Sequence, residues 1–170
     1  MPMVTVELTD AEIELCERVA EARMAFGAAN GLNHACIMDR IFTEREQHEF
    51  GGAAGELAVA KWFGVRGYQP SVQYVKGAVD VEPDIEVRST GWMNGQLVVR
   101  PRDHGDRRYV LAITSLAKSY GQVRLAGWMW GHEARRDEFL QTYYNRPEHW
   151  VPRDALNPMH TMQRESNGTV

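Results

Sequence analysis

The sequence predicts an α+β protein, a mixed β-sheet flanked by helices. Two helical segments with capping boxes come first. After Gly67 the apolar period changes from helical to alternating, with Gly and Pro between the short runs. A charged helical stretch then returns after Gly131. The 170 residues read as one domain over 1–160, followed by a polar, frayed tail over 161–170.

The first helix is expected from Asp10 to about Phe26. Thr9 and Glu12 form its capping box, and Ile13, Val19, Ala20 and Met24 recur near helical spacing. It should stop near Gly27. Residues 27–42 mix loop signals at Gly31 and Asn33 with a possible short helix over Ile37–Phe42.

The second helix should open at a Thr43–Glu46 capping box and end at Gly64 as a C′ glycine. Ala53, Ala54, Leu57, Ala58, Ala60 and Lys61 favour it. Gly51, Gly52 and Gly55 each cost about 1 kcal/mol against Ala in a helix interior. They would let the helix lie close to another backbone; a helix restarting near Gly52 is the alternative. Short strands then read over 72–75, 78–81, 84–89, 96–100, 109–113 and 123–128, separated by turn residues such as Asn94-Gly95. A helix from about His132 to Tyr143 follows. Pro147, Pro152 and Pro158 mark an extended segment packed down by Trp150, Val151 and Leu156.

Composition is that of an ordinary globular protein, 44% hydrophobic and 25% charged. No run approaches the roughly 18 apolar residues of a membrane helix, and no leader pattern opens the chain. Membrane insertion and secretion are therefore not expected. Cys16 and Cys36 make no disulfide framework, so the expectation is a reducing, cytoplasmic setting. Net charge is −4, yet residues 88–124 hold seven basic residues against Asp103 and Asp106. A globally acidic chain can still present a basic face. Arg100, Arg102, Arg107, Arg108, Lys118 and Arg124 are its candidate nucleic-acid contacts. A solvated surface is the plainer reading.

The chemistry-bearing segment runs from Asp80 to Thr90. Alternate strand residues share a face, so Asp84, Glu86 and Arg88 point one way and Ile85 and Val87 the other. Asp80 and Glu82 have the same parity, with Pro83 breaking the strand between. The plainer reading is a polar strand face balanced by Arg88. Clustered like charges repel, however, and oxygen-rich groups of this kind suit Mg²⁺. A further carboxylate, Glu56, lies in the preceding helix within Gly55-Glu56-Leu57-Ala58.

This layout resembles the PD-(D/E)XK nucleases: a helix bearing Glu, then an Asp, then Glu-x-Lys on a strand. The resemblance covers about residues 46–133, leaving 1–42 as an N-terminal helical extension. Glu56 matches the helix Glu, and Glu86-Val87-Arg88 matches Glu-x-Lys. Asp80 or Asp84 matches the central Asp. Asp80 suits a hairpin turn over 81–83, and Asp84 suits a shared strand. Glu86-Val87-Arg88-Ser89-Thr90, Gln96-Leu97-Val98-Val99 and Gly127-Trp128-Met129-Trp130-Gly131 also resemble small phage and bacterial proteins of unassigned activity.

The resemblance implies a restriction-endonuclease-like core and a metal-dependent deoxyribonuclease, with DNA as partner and Mg²⁺ or Mn²⁺ as cofactor. For a phage-encoded protein the setting is the host cytoplasm. Asp80 or Asp84, Glu86 and the Val87 carbonyl would hold the metal, with Glu56 beside them. Arg88 stands where the family has Lys. Arginine stays protonated, so it cannot be a general base, but it can stabilise charge on a phosphate. The implied alternative is an inactive nucleic-acid- or protein-binding module that keeps the fold. A duplex cutter would act as a homodimer or act twice, and the first helix is a candidate dimer element. His104 lies in a charged loop that reaches phosphate or simply solvent. Trp128 and Trp130 are packing residues before they are base-stacking ones. No Gly-rich phosphate loop and no Gly-x-Ser-x-Gly elbow is present.

Overall fold

The computed structural model describes residues 2–30, 42–73, 75–143 and 145–162. It holds two sheets. Strands β1 (Val4–Glu7), β5 (Gln122–Trp130), β4 (Arg108–Leu116) and β2 (Ile85–Thr90) form the larger, in that order. β1 and β4 flank β5 antiparallel, while β2 runs parallel to β4. The sheet is therefore mixed, as expected. The smaller sheet is antiparallel, with β7 (Arg146–Val151) between β3 (Leu97–Val99) and β6 (Leu140–Tyr143).

Helix α1 (Asp10–Ala29) begins at the expected cap. The Glu12 amide donates to Thr9 Oγ1 at 3.3 Å, and the Thr9 amide donates to Glu12 Oε2 at 2.7 Å. The helix runs on past Gly27, which is buried. Helix α2 (Phe42–Trp62) begins ahead of Thr43, so the Thr43–Glu46 pair lies inside it and is not its cap. It is continuous through Gly52. Gly64 (φ 69°) ends it: the Gly64 amide donates to the Lys61 carbonyl and the Val65 amide to the Ala60 carbonyl. That pair of bonds is a Schellman closure.

The α2 glycines are contact surface. A Cβ on Gly51 would lie 2.8 Å from Thr114 Oγ1, and one on Gly55 would lie 2.1 Å from Ser89 Oγ. The helix thus sits against β2 and β4 at a distance only Gly permits. One core fills the space between α1, α2 and the large sheet, including Leu57, Val59, Val87, Val110 and Leu125. A second lies on the sheet's other face, where Leu97, Val99 and Val151 of the small sheet meet Leu111 and Ile113. β4 is buried on both faces, which accounts for its almost unbroken apolar run.

Several expectations are corrected. Among the described residues, 72–75 and 78–81 form no strand; only Val81 bridges Ile85, across a turn. The helix expected over His132–Tyr143 shrinks to α4 (Gly131–Ala134) and a 3₁₀ turn over Asp137–Phe139, after which β6 and β7 form a hairpin. Asn145, at φ 60°, stands between β6 and β7 in the left-handed conformation that suits a hairpin turn. β1 is an element that the helical and alternating patterns did not single out. Helix α3 (Ala117–Tyr120) is a single turn between β4 and β5. The expected fraying from Thr161 does not begin there. Trp128 Nε1 donates to Thr161 Oγ1 at 3.1 Å, and Met162 is buried. The loop and short helix expected over 27–42 lie mostly outside the described residues, as does the tail from 163. Among the described residues no helix is long and apolar enough to cross a membrane.

Candidate functional site

Among the described strands β2 pairs with β4 alone and stands at the sheet edge, and the candidate site lies along its other side. Val87 faces the helical core, so Glu86 and Arg88 project from the opposite face. The Val81–Ile85 bridge folds Asp80 back beside the strand. There the Val87 amide donates to Asp80 Oδ2 at 2.8 Å, and the Tyr68 hydroxyl donates to the Asp80 carbonyl. Glu56 approaches from α2. It is 8% exposed, and Arg23 Nη2 of α1 donates to both its oxygens at 2.9 Å. Arg23 Nε also donates to the Ser71 carbonyl at 2.8 Å, tying α1 to the segment before Asp80.

The three carboxylates are electrostatically coupled. Burial pushes Glu56 up to about 7; Arg23 opposes this, and the Asp80 charge adds to it. Burial also raises Asp80, against the Val87 amide and the charge of Arg88. Glu86 is raised by burial and by Asp80, against the hydrogen bond from Arg107. Arg88 works the other way. Burial disfavours its charge, but Asp103, 2.8 Å from Nη2, outweighs that and holds it above the usual range. Its guanidinium lies 5.2 Å from the Tyr109 ring centroid. Arg107 donates to Glu86 Oε1 and to the carbonyls of Gly77 and Ala78.

Asp80, Glu86, Arg88, Asp103, Arg107 and Tyr109 line a cleft of about 710 Å³, whereas Glu56 lies behind Arg23 and is not part of its lining. Its walls carry six arginines, Arg23, Arg45, Arg88, Arg100, Arg102 and Arg107, against the carboxylates Glu49, Asp80, Glu86 and Asp103. Among the described residues Arg45 and Arg102 make no ion pair, so both charges are open to a ligand. A cleft with excess guanidinium suits an anion, and carboxylates and phosphates both match the planar guanidinium fork.

No family model matches the chain, and no curated protein or solved structure matches it either.

The remaining expected residues separate. Asp84 does not join Asp80 and Glu86: it is held by Arg108, whose Nε donates to both its oxygens at 3.1 and 2.9 Å. Arg108 itself is 4% exposed, 5.7 Å from the Trp130 ring centroid, and lies away from the cleft wall. Lys118 pairs with Glu17 and Glu46 beside α1 and α2. Arg124 reaches the Met93 sulfur, not the cleft. Arg100, Arg102 and Arg107 do line it, and so does His104. Trp128 packs in the helical core, and Trp130 stacks on His132. Sequence reasoning missed Arg23, Arg45, Asp103 and Tyr109. Arg23 and Arg45 belong to the acidic first third of the chain, and nothing local marks them.

Among the described residues no group of three His, Cys, Asp or Glu side chains is arranged to hold a metal ion. Arg23 and Arg107 already hold Glu56 and Glu86. The donor set still fits a hard divalent cation in kind. Asp80 and Glu86 are half-buried carboxylates that both line the cleft, and the charge of Asp80 raises the cost of ionising Glu86. A cation there would relieve that repulsion.

Proposed function

We propose that the protein is a metal-dependent deoxyribonuclease, an endonuclease that seats the phosphodiester backbone in the arginine-lined cleft and hydrolyses it beside Asp80 and Glu86. The observation that carries this reading is one cleft holding six arginines and, on its floor, the Asp80–Glu86 pair with Arg88. The resemblance to the PD-(D/E)XK nucleases supports it through Glu56 on a helix, Asp80 in the central place, and Glu86-Val87-Arg88 on a strand of a mixed sheet. Asp80 is preferred to Asp84 because Asp84 is committed to Arg108.

In this reading Asp80, Glu86 and the Val87 carbonyl would hold Mg²⁺ or Mn²⁺, which when bound would supply Lewis acidity and lower the pKa of water. Arg88, fixed between Asp103 and the Tyr109 ring, meets charge growing on the phosphate. Arg100 and Arg102 hold the flanking backbone. Glu56, whose carboxyl is pushed up to about 7, can hold or release a proton at neutral pH.

A second reading is a binding module that keeps the nuclease fold without cleavage. The ion pairs of Arg23 with Glu56 and of Arg107 with Glu86 favour it, because they neutralise the carboxylates internally. The deciding experiment incubates supercoiled, linear, branched and single-stranded DNA with Mg²⁺, Mn²⁺ or EDTA. Cleavage that requires the metal and disappears in Glu86→Gln supports the enzyme. DNA binding without cleavage of any substrate, under any metal, leaves the binding module.

A further inference from the structure

Tyr109 is a polar side chain of the site whose position no charge pair explains. In the parallel register of β2 and β4 its Cα stands beside that of Glu86, so the two side chains share a face. Arg88, two residues along β2, lays its guanidinium against the Tyr109 ring. The ring is pinned from behind: a Cβ on Gly131 would lie 2.8 Å from Tyr109 Cε2. Tyr109 is only 1% exposed, and yet it lines the cleft.

Among the described residues the Tyr109 hydroxyl makes no hydrogen bond, yet it is not one of the fully enclosed unpartnered atoms, so a residue otherwise packed away keeps an open polar atom where it lines the cleft. Its acidic neighbours are already engaged, Glu86 by Arg107 and Asp103 by Arg88 and the Arg100 amide. A phenol keeps its proton at neutral pH, so the hydroxyl is a donor. A neutral donor among paired guanidinium groups lacks one thing, an acceptor, and a phosphate oxygen supplies it.

We propose that the Tyr109 hydroxyl is a substrate contact, donating a hydrogen bond to a non-bridging oxygen of the phosphate that Arg88 and Arg107 neutralise. The inference rests on the nucleic-acid reading above and adds to it a residue that touches the scissile or adjoining phosphate. The donor is uncharged, so it sharpens orientation without adding to the salt-dependent attraction.

The test is Tyr109→Phe, which keeps the ring under Arg88 and removes one oxygen. Binding of fluorescein-labelled single-stranded and duplex DNA is measured in EDTA by anisotropy, across a salt series, beside thermal melting of the free protein. The expected result is a Kd about 3–10-fold higher, an unchanged salt slope, and a melting temperature equal to or above the parent's. A variant that binds both DNAs as tightly as the parent overturns the Tyr109 contact and leaves the nucleic-acid reading standing. A lowered melting temperature with unchanged Kd also overturns it, because the hydroxyl would then serve only the fold. A parent protein that binds neither DNA removes both proposals together.

Discussion

Arg23 Nη2 lies 2.9 Å from each carboxylate oxygen of Glu56, joining α1 to α2 at the rear of the cleft. Both side chains are largely buried, at 15% and 10% exposure. Removing one partner of such a pair costs about 3–5 kcal/mol. Arg23→Met should therefore be strongly destabilised near neutral pH. The cost should shrink in acid. The carboxyl of Glu56 is raised from 4.5 to about 7 in the folded protein, so the native state keeps this proton to higher pH than the unfolded chain does. Its contribution to stability is complete below 4.5 and is lost as pH rises through about 7. Urea unfolding of parent, Arg23→Met and Glu56→Gln at pH of about 5 and about 8 measures this. Glu56→Gln should gain stability relative to the parent as pH rises. An Arg23→Met penalty identical at both values would contradict the assignment.

Gly55 faces Ser89 Oγ, and a Cβ there would also meet Ala112 Cβ at 3.1 Å. Gly55→Ala should destabilise by about 1–3 kcal/mol through overpacking, although Ala favours a helix over Gly by about 1 kcal/mol. Ser89 Oγ is buried without a partner, so Ser89→Ala should be neutral or stabilising. The double variant should recover part of the Gly55→Ala loss, read by thermal unfolding. A stabilised Gly55→Ala would show that α2 can move off β2 at no cost.

Arg100 and Arg102 line the cleft, whereas Lys118 and Arg124 do not. Replacing Arg100 and Arg102 by Ala should weaken DNA binding for all sequences and flatten the salt slope by about 1 per lost contact. Replacing Lys118 and Arg124 should leave the slope as it is. The reverse result would move the DNA to another face.

Arg88 separates enzyme from binding module. Arg88→Lys keeps the charge but loses the two-pronged donor, and Arg88→Met removes the charge. In single-turnover cleavage with saturating Mg²⁺ or Mn²⁺, Lys should retain measurable activity. Met should lose about 10²–10³ in rate, with circular dichroism unchanged in both. A folded Met variant as fast as the parent would reduce Arg88 to a counter-ion for Asp103.

The parts of this fold that were legible from sequence rest on local rules. Thr9 and Glu12 cap one another across a single turn, and Gly64 closes α2 through bonds to Lys61 and Ala60. Gly51 and Gly55 announce close packing because nothing else excuses glycine there. Of the two placements that the local rules left open, the turn at Pro83 brings Asp80, not Asp84, to the Val87 amide. What was hidden depends on register and on distant partners. Tyr109 meets Glu86 only through the β2–β4 pairing, and Arg23 meets Glu56 only through the α1–α2 contact. The β6–β7 hairpin escaped because Leu140 and Tyr143 of its edge strand are exposed, which erases the alternation that marks a half-buried strand. Basic residues counted along 88–124 scatter for the same reason: sequence proximity says nothing about which face each side chain takes.

The order of strands has a consequence for how the protein is made. β4 and β5 pair locally, but β2 has no strand partner until β4 is available and β1 none until β5 is, so the large sheet is completed through pairings distant in sequence. Such pairings are slow because each closes a long loop before any contact rewards it. A chain emerging from the ribosome can form α1 and α2 early, but it cannot bring Glu86 beside Tyr109 until residue 109 has been synthesised. The arginines of the 100–107 loop arrive at the same moment as that strand. A chain that ends before Tyr109 can already fold Asp80 back onto the Val87 amide, but it lacks the cleft wall that Tyr109 and the arginines complete.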